Sequence, residues 1–313
     1  MAAIELRDVT KQFGHVVAVN ALTLDVPEGS IYGFIGPNGS GKTTTIRMIM
    51  NLLVPDHGSV RVLGQSPGSA VRDLVGCLPE ERGLYKRMTA RQVLRYYGQL
   101  KGRSTSEVDA AVAEWIEPLQ VGEWLDNEVQ ALSKGMSQKV QFLSTIVVKP
   151  KLLILDEPFS GLDPVNADLV RSAVLELRRR GTTIVFSTHD MAAAEGLCDR
   201  IFMIFLGQKV LDGSLDEIQA RYGQDTIRVR TAAGPAALQG LAGIEAVTDF
   251  GNYQDVRFTG DSQVILGSLA ARTAVRHFEV TTPSLNDIFI RIAKPPAGQA
   301  HAAGAAGLAG VGR

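Results

Sequence analysis

The chain has 313 residues, 45% of them hydrophobic and 21% charged, so it can bury a sizeable core and has room for about two domains of ~100–200 residues each. A formal net charge of -1 offers no overall basic field, which argues against a general nucleic-acid-binding surface and requires any anion site to be local. No run approaches the ~20 apolar residues of a membrane span, the start MAAIELRDVTKQF has no apolar leader, and Cys77 and Cys198 lack disulfide or metal-site spacing, which suits free thiols in a reducing compartment.

In chain order, the first strong element is IYGFI (31–35), a continuous apolar run of the kind that forms a buried parallel strand. LLIL (152–155), TIVFS (183–187) and IFMIF (201–205) read the same way, and their alternation with helical stretches predicts an α/β fold. IYGFI leads into Gly36-Pro37-Asn38-Gly39-Ser40-Gly41-Lys42-Thr43-Thr44, which fits G-x-x-x-x-G-K-[ST] and opens a helix with Ile46, Ile49 and Met50 on its apolar stripe. Backbone N–H groups of such a loop converge on phosphate oxygens, and the helix N-terminus adds partial positive charge. Lys42 is expected to reach the β- and γ-phosphates, and the Thr43 hydroxyl to ligate Mg²⁺.

Between about residues 86 and 150 strand signals give way to helical ones, which predicts a helical subdomain inserted between the two parts of the sheet. Within it Ser133 is the expected N-cap of a helix with the stripe Met136, Val140, Leu143 and Val147. That helix begins with Lys134, a cation where the helix dipole disfavours one. Next comes LLILDEP (152–158), which puts Asp156 at the carboxyl end of a buried strand, where a Mg²⁺ ligand beside a phosphate loop is expected. Glu157 follows as the candidate general base for an attacking water.

From about residue 224, TIRVR, AALQGLAG, IEAVTDF, QDVRF, Gln263–Arg272 and RHFEV read as β-α-β-β-α-β, with Gly251-Asn252 as a hairpin turn. This predicts a small α+β, ferredoxin-like accessory domain over 223–292, ending in a helix around SLNDIFIRIA. The tail over 293–313 has too few large apolar side chains to fold.

The phosphate loop, the Ser133 helix, LLILDEP, SGLD (160–163) and STHD (187–190) stand in the order and spacing of an ATP-binding-cassette transporter ATPase, which the chain resembles over about residues 4–215. The resemblance implies a P-loop cassette over 1–222, ATP and Mg²⁺ as ligands, and a head-to-tail dimer with itself or a homologous cassette. In that dimer the Walker loop of one subunit faces the signature helix of the other. It further implies that Phe13 stacks on adenine, that Ser133, Lys134 and Gly135 face the nucleotide of the partner, that Asp163 crosses the interface and that His189 contacts the γ-phosphate. Two departures stand out. The family signature LSGGQ is LSKGM here, and the loop that couples ATP to the membrane subunit, normally carrying glutamine, has Glu80 within LPEERGLY as its best match, a carboxylate that can also ligate Mg²⁺. Together with the C-terminal domain these segments resemble the bacterial branch of sodium and multidrug exporters. A separate integral-membrane subunit is the implied partner, no nucleic acid is expected, and the implied location is cytoplasmic, at the inner face of the cell membrane. The alternatives are a non-transport cassette ATPase and a nucleotide-binding subunit with impaired hydrolysis. Glu157 and His189 argue against the second, and the lack of a second cassette or long coiled coil against the first.

Overall fold

The computed structural model describes residues 1–79, 83–223 and 225–293, so Glu80 and most of the tail expected to be unfolded lie outside the described residues. Two compact units are distinguished, Met1–Ser214 and a second beginning at Leu215. The expected boundary at 222/223 falls instead at the end of a helix, Leu215–Tyr222, that belongs to the second unit.

The first unit opens with two strands of 12 residues each, β1 (Ala2–Phe13) and β2 (Val16–Pro27). With β4 (His57–Val62) they form a three-stranded antiparallel sheet in the order β2-β1-β4. Its register shifts near Asp8 and Ala21, both in the left-handed region (φ 49° and 46°), so inward-facing residues depart from strict alternation. A second sheet has six strands in the order β5-β6-β7-β3-β8-β9: β3 (Ile31–Ile35), β5 (Val75–Leu78), β6 (Leu152–Asp156), β7 (Thr183–Thr188), β8 (Arg200–Phe205) and β9 (Gln208–Gly213). All pairings are parallel except β8 with β9. Strands β3, β6 and β7 are buried along their whole length, which is why they read as unbroken apolar runs. Helix α1 (Lys42–Ile49) packs Ile46, Met48 and Ile49 between the two sheets, against Tyr32 and Phe34 of β3 and Leu6 and Leu24 of the smaller sheet.

The short α2 (Ser69–Arg72) precedes β5, and the helical segment follows as α3 (Ala90–Leu100), α4 (Thr105–Leu119) and α5 (Lys134–Ile146), inside the expected limits. Capping boxes start the first two: Thr89 with Gln92, and Ser104 with Glu107. Then α6 (Pro164–Arg179) and α7 (Met191–Leu197) flank β7.

In the second unit α8 (Leu215–Tyr222) leads into a four-stranded antiparallel sheet ordered β11-β12-β10-β13. Its strands are β10 (Thr226–Thr231), β11 (Ile244–Asp249), β12 (Gln254–Phe258) and β13 (Val275–Thr281). Helix α9 (Ser262–Arg272) lies between the last two, and α10 (Leu285–Ala293) closes the described chain. The strand order is the ferredoxin-like one, but where a first helix is expected the chain makes only a 3-10 turn, Gly234–Leu238. Glycines at 234, 240 and 243, all at positive φ, leave too short a stretch for an α-helix. Gly251 (φ 80°) makes the expected hairpin turn.

Candidate functional site

The site grows from the end of β3. The chain turns from Ile35 through Gly36–Gly41 into α1, and the turn is tight against its surroundings. A Cβ on Gly36 would stand 2.3 Å from the Ile204 carbonyl oxygen, and one on Gly41 2.5 Å from that of Ala18. Their φ angles of 157° and 111° add a second reason for glycine. The loop curls around the Lys42 ammonium, which donates to the carbonyls of Gly36 (2.6 Å) and Pro37 (3.1 Å). Only 7% of Lys42 is exposed, so its charge is held against the loop rather than spent in water. Thr43 and Thr44 occupy the first turn of α1, which contains no acidic residue to compete with a bound anion.

Asp156 ends β6 and, with Glu157, closes the other side of a cleft of about 120 Å³ lined also by Ala18, Asn38, Gly39 and Gly41 to Thr44. The expected phosphate loop, metal carboxylate and base therefore share one small space. Glu157 adopts a left-handed φ of 49°, unusual for a side chain of this size. The strain is held by its own N–H, which donates to the Ser187 carbonyl (2.9 Å), and by its carbonyl, which accepts from the Ser160 N–H (3.1 Å). The backbone turn aims the carboxylate at the end of β7. There Oε1 accepts from the His189 N–H (2.8 Å) and lies 2.6 Å from His189 Nδ1, while Oε2 accepts from the Thr188 hydroxyl (3.2 Å). That hydroxyl in turn accepts from the Asp190 N–H (3.0 Å), which fixes its proton toward Glu157. His189 is the more exposed partner, with 60% of its side chain accessible against 10% for Glu157.

A divalent cation fits these residues. Thr43 and Asp156 supply two hard oxygen donors in one cleft. That combination suits Mg²⁺, which takes one or two protein ligands and completes its shell with water and phosphate. Two fully or nearly buried hydroxyls at the site, Ser40 Oγ and Ser187 Oγ, meet no hydrogen-bonding group among the described residues.

The remaining expected residues do not line this cleft. Ser133 caps α5, its Oγ accepting from the Met136 N–H (3.2 Å), and Lys134 projects exposed from the first turn. Gly135 sits against the start of α6, where a Cβ would lie 3.3 Å from Asn166 Nδ2. Asp163 caps α6 through Asn166 (N–H to Oδ1 3.0 Å, Nδ2 to Oδ2 2.6 Å), and these bonds hold its carboxyl below the usual range. Ser133, Lys134, Gly135 and Asp163 thus cluster at two adjoining helix starts, apart from the phosphate loop of their own chain. Phe13, half exposed at the end of β1, carries the Lys11 ammonium 5.7 Å from its ring centre. The roles of Thr188 and Ser187 were not read from the sequence, although STHD contains both; they depend on strand register, which a motif does not encode.

Comparison with known proteins matches residues 19–160 to the family described as ABC transporter. Residues 213–293 match a domain described as ATP-binding protein DrrA1-3-like, C-terminal domain. An uncharacterised ABC transporter ATP-binding protein, YhaQ of Bacillus subtilis, is 40% identical over 90% of this chain and 95% of its own length. The Nod factor export ATP-binding protein I of Burkholderia lata is 33% identical, covering 93% of this chain and 97% of that one. Among solved structures, an ATP-binding subunit of an ABC transporter superposes with a TM-score of 0.66 at 29% identity, over 71% of this chain and 93% of that one.

Proposed function

Since this chain belongs to the ATP-binding proteins of ABC transporters, we propose that it is the ATP-hydrolysing subunit of an exporter and drives a separate integral-membrane subunit. The observation that carries the reading is the convergence of Lys42, Thr43, Asp156 and Glu157 on one cleft. ATP is the substrate. Its phosphates would lie along the N–H groups of Gly39–Thr44, with the Lys42 ammonium leaving the loop carbonyls for them. Phe13 would carry the adenine. Mg²⁺, when held by Thr43 and Asp156, neutralises phosphate charge. Glu157 would accept the proton of the attacking water once its carboxylate is freed from one of its present partners, and His189, exposed and bonded to it, would turn to the γ-phosphate. Ser133, Lys134, Gly135 and Asp163 would complete the site of a second cassette in a head-to-tail dimer.

Export, rather than import, is supported by similarity to a Nod factor export ATP-binding protein over 93% of this chain and 97% of that one. Among the described residues no helix is long and apolar enough to cross a membrane, so a transport role would need a membrane partner and a position at the inner membrane face. Among its described residues the accessory unit offers no phosphate loop, and it is read as regulatory or dimer-supporting. The test is Glu157→Gln: the shape of the side chain persists without a good proton acceptor, so ATP turnover should fall ~10²-fold or more while ATP binding remains. Near wild-type turnover would remove Glu157 from this role.

A further inference from the structure

We infer that Ser187 is a positioning residue for the divalent cation, its hydroxyl hydrogen-bonding the hydration shell of a cation held by Asp156 and Thr43. The inference rests on the proposed cation site and goes beyond the residues that motifs assign to it.

Strand register places the residue. On β7, Ser187 aligns with Asp156 of β6 on one side and with Phe34 of β3 on the other. Aligned residues on neighbouring parallel strands project to the same face. Phe34 packs in the core with Ile46, Met48 and Ile49, so that face is the one covered by α1. The Ser187 hydroxyl and the Asp156 carboxylate therefore stand side by side beneath the helix that begins with Lys42 and Thr43.

Burial supplies the second argument. Ser187 has no exposed surface, and its Oγ meets no hydrogen-bonding group among the described residues. A hydroxyl left in that state opposes folding unless a ligand completes it. Mg²⁺ sheds water reluctantly, and the waters it keeps present protons that need acceptors. The residue's backbone already serves the site, because its carbonyl accepts the Glu157 N–H at 2.9 Å. One residue would then hold both the backbone of the base and the water shell of the cation, coupling two groups that must be correct together.

The experiment measures Mn²⁺ binding, by loss of its free-ion paramagnetic signal, to the full chain loaded with a non-hydrolysable ATP analogue. Ser187→Ala should weaken Mn²⁺ about tenfold, Ser187→Thr should stay near wild type, and affinity for the analogue in EDTA should be unchanged in both. Asp156→Asn is the reference. Wild-type Mn²⁺ affinity in Ser187→Ala, with affinity lost in Asp156→Asn, would overturn the role of Ser187 alone. Unchanged affinity in Asp156→Asn would overturn the cation site on which it rests. An equal loss of analogue binding in EDTA would show that Ser187→Ala disturbs the phosphate loop, and would overturn the inference too.

Discussion

Lys134 is the residue where local physics and sequence disagree most openly. A cation in the first turn of α5 costs about 0.3–1 kcal/mol against the helix dipole, and the structure provides no acidic residue in that turn to offset it. In the proposed dimer the start of this helix would face the partner's γ-phosphate, which would offset that cost. Lys134→Gly should leave the ATP affinity of the monomer nearly unchanged but weaken ATP-driven dimerisation in the Glu157→Gln background. The loss should shrink at high salt as screening takes over. Dimer fraction against salt measures this, and superimposed curves for the two proteins would show that the lysine makes no use of phosphate. At this scale the sequence was most legible where function occupies consecutive residues, as in 36–44 and 156–157, because a loop that must pass under carbonyls 2.3 and 2.5 Å from a would-be Cβ tolerates only glycine. Ser187 was illegible for the opposite reason. Its meaning comes from Asp156 and Phe34, which are neighbours only across the sheet.

Among the elements, β3, β6, β7 and β8 announce themselves because their central positions are buried on both faces and are apolar or small, with Asp156 and Arg200 only at strand ends. Strands β1 and β2 went unread. Their faces differ in exposure, and the left-handed residues Asp8 and Ala21 interrupt the alternation that would have marked them. The helical segment was legible in extent but not in its fastenings. Arg95 of α3 grips Asp109 of α4 with two bonds of 2.8 and 2.6 Å, and Arg91 grips Asp126 at 2.7 and 3.0 Å. Each arginine holds its aspartate's carboxyl below the ordinary value of 3.8. A depressed carboxyl contributes stability that is present above the unfolded value and lost as pH falls through the folded one. The gap in melting temperature between wild type and Asp109→Asn should therefore be constant from pH 8 to about 5 and close below about pH 4. A gap that persists unchanged into strong acid would mean that the aspartate acts through packing and not through its charge.

For the whole molecule, every residue lining the phosphate cleft belongs to Met1–Ser214. A chain ending after Ser214 should bind ATP with affinity close to that of the full protein. Complete loss of binding in a truncated chain that is still folded by circular dichroism would show that the accessory unit contributes to the site. The two-unit division was legible in composition, but its position was not. The chain leaves the six-stranded sheet at Gly213 and the first helix of the next unit begins two residues later, so only the Gly213-Ser214 pair marks the crossing, too short to read as a linker. The order of the strands has a consequence for biosynthesis. The strand that carries the phosphate loop is made early, yet both its neighbours, β7 and β8, come late, and Ile31 finds its bond to Asp199 168 residues further on. At ~5–20 residues per second this interval is about 10–30 s, during which a nascent chain carries the complete loop sequence but not the sheet that shapes it. Nucleotide can therefore assist the folding of this unit only near the end of its translation.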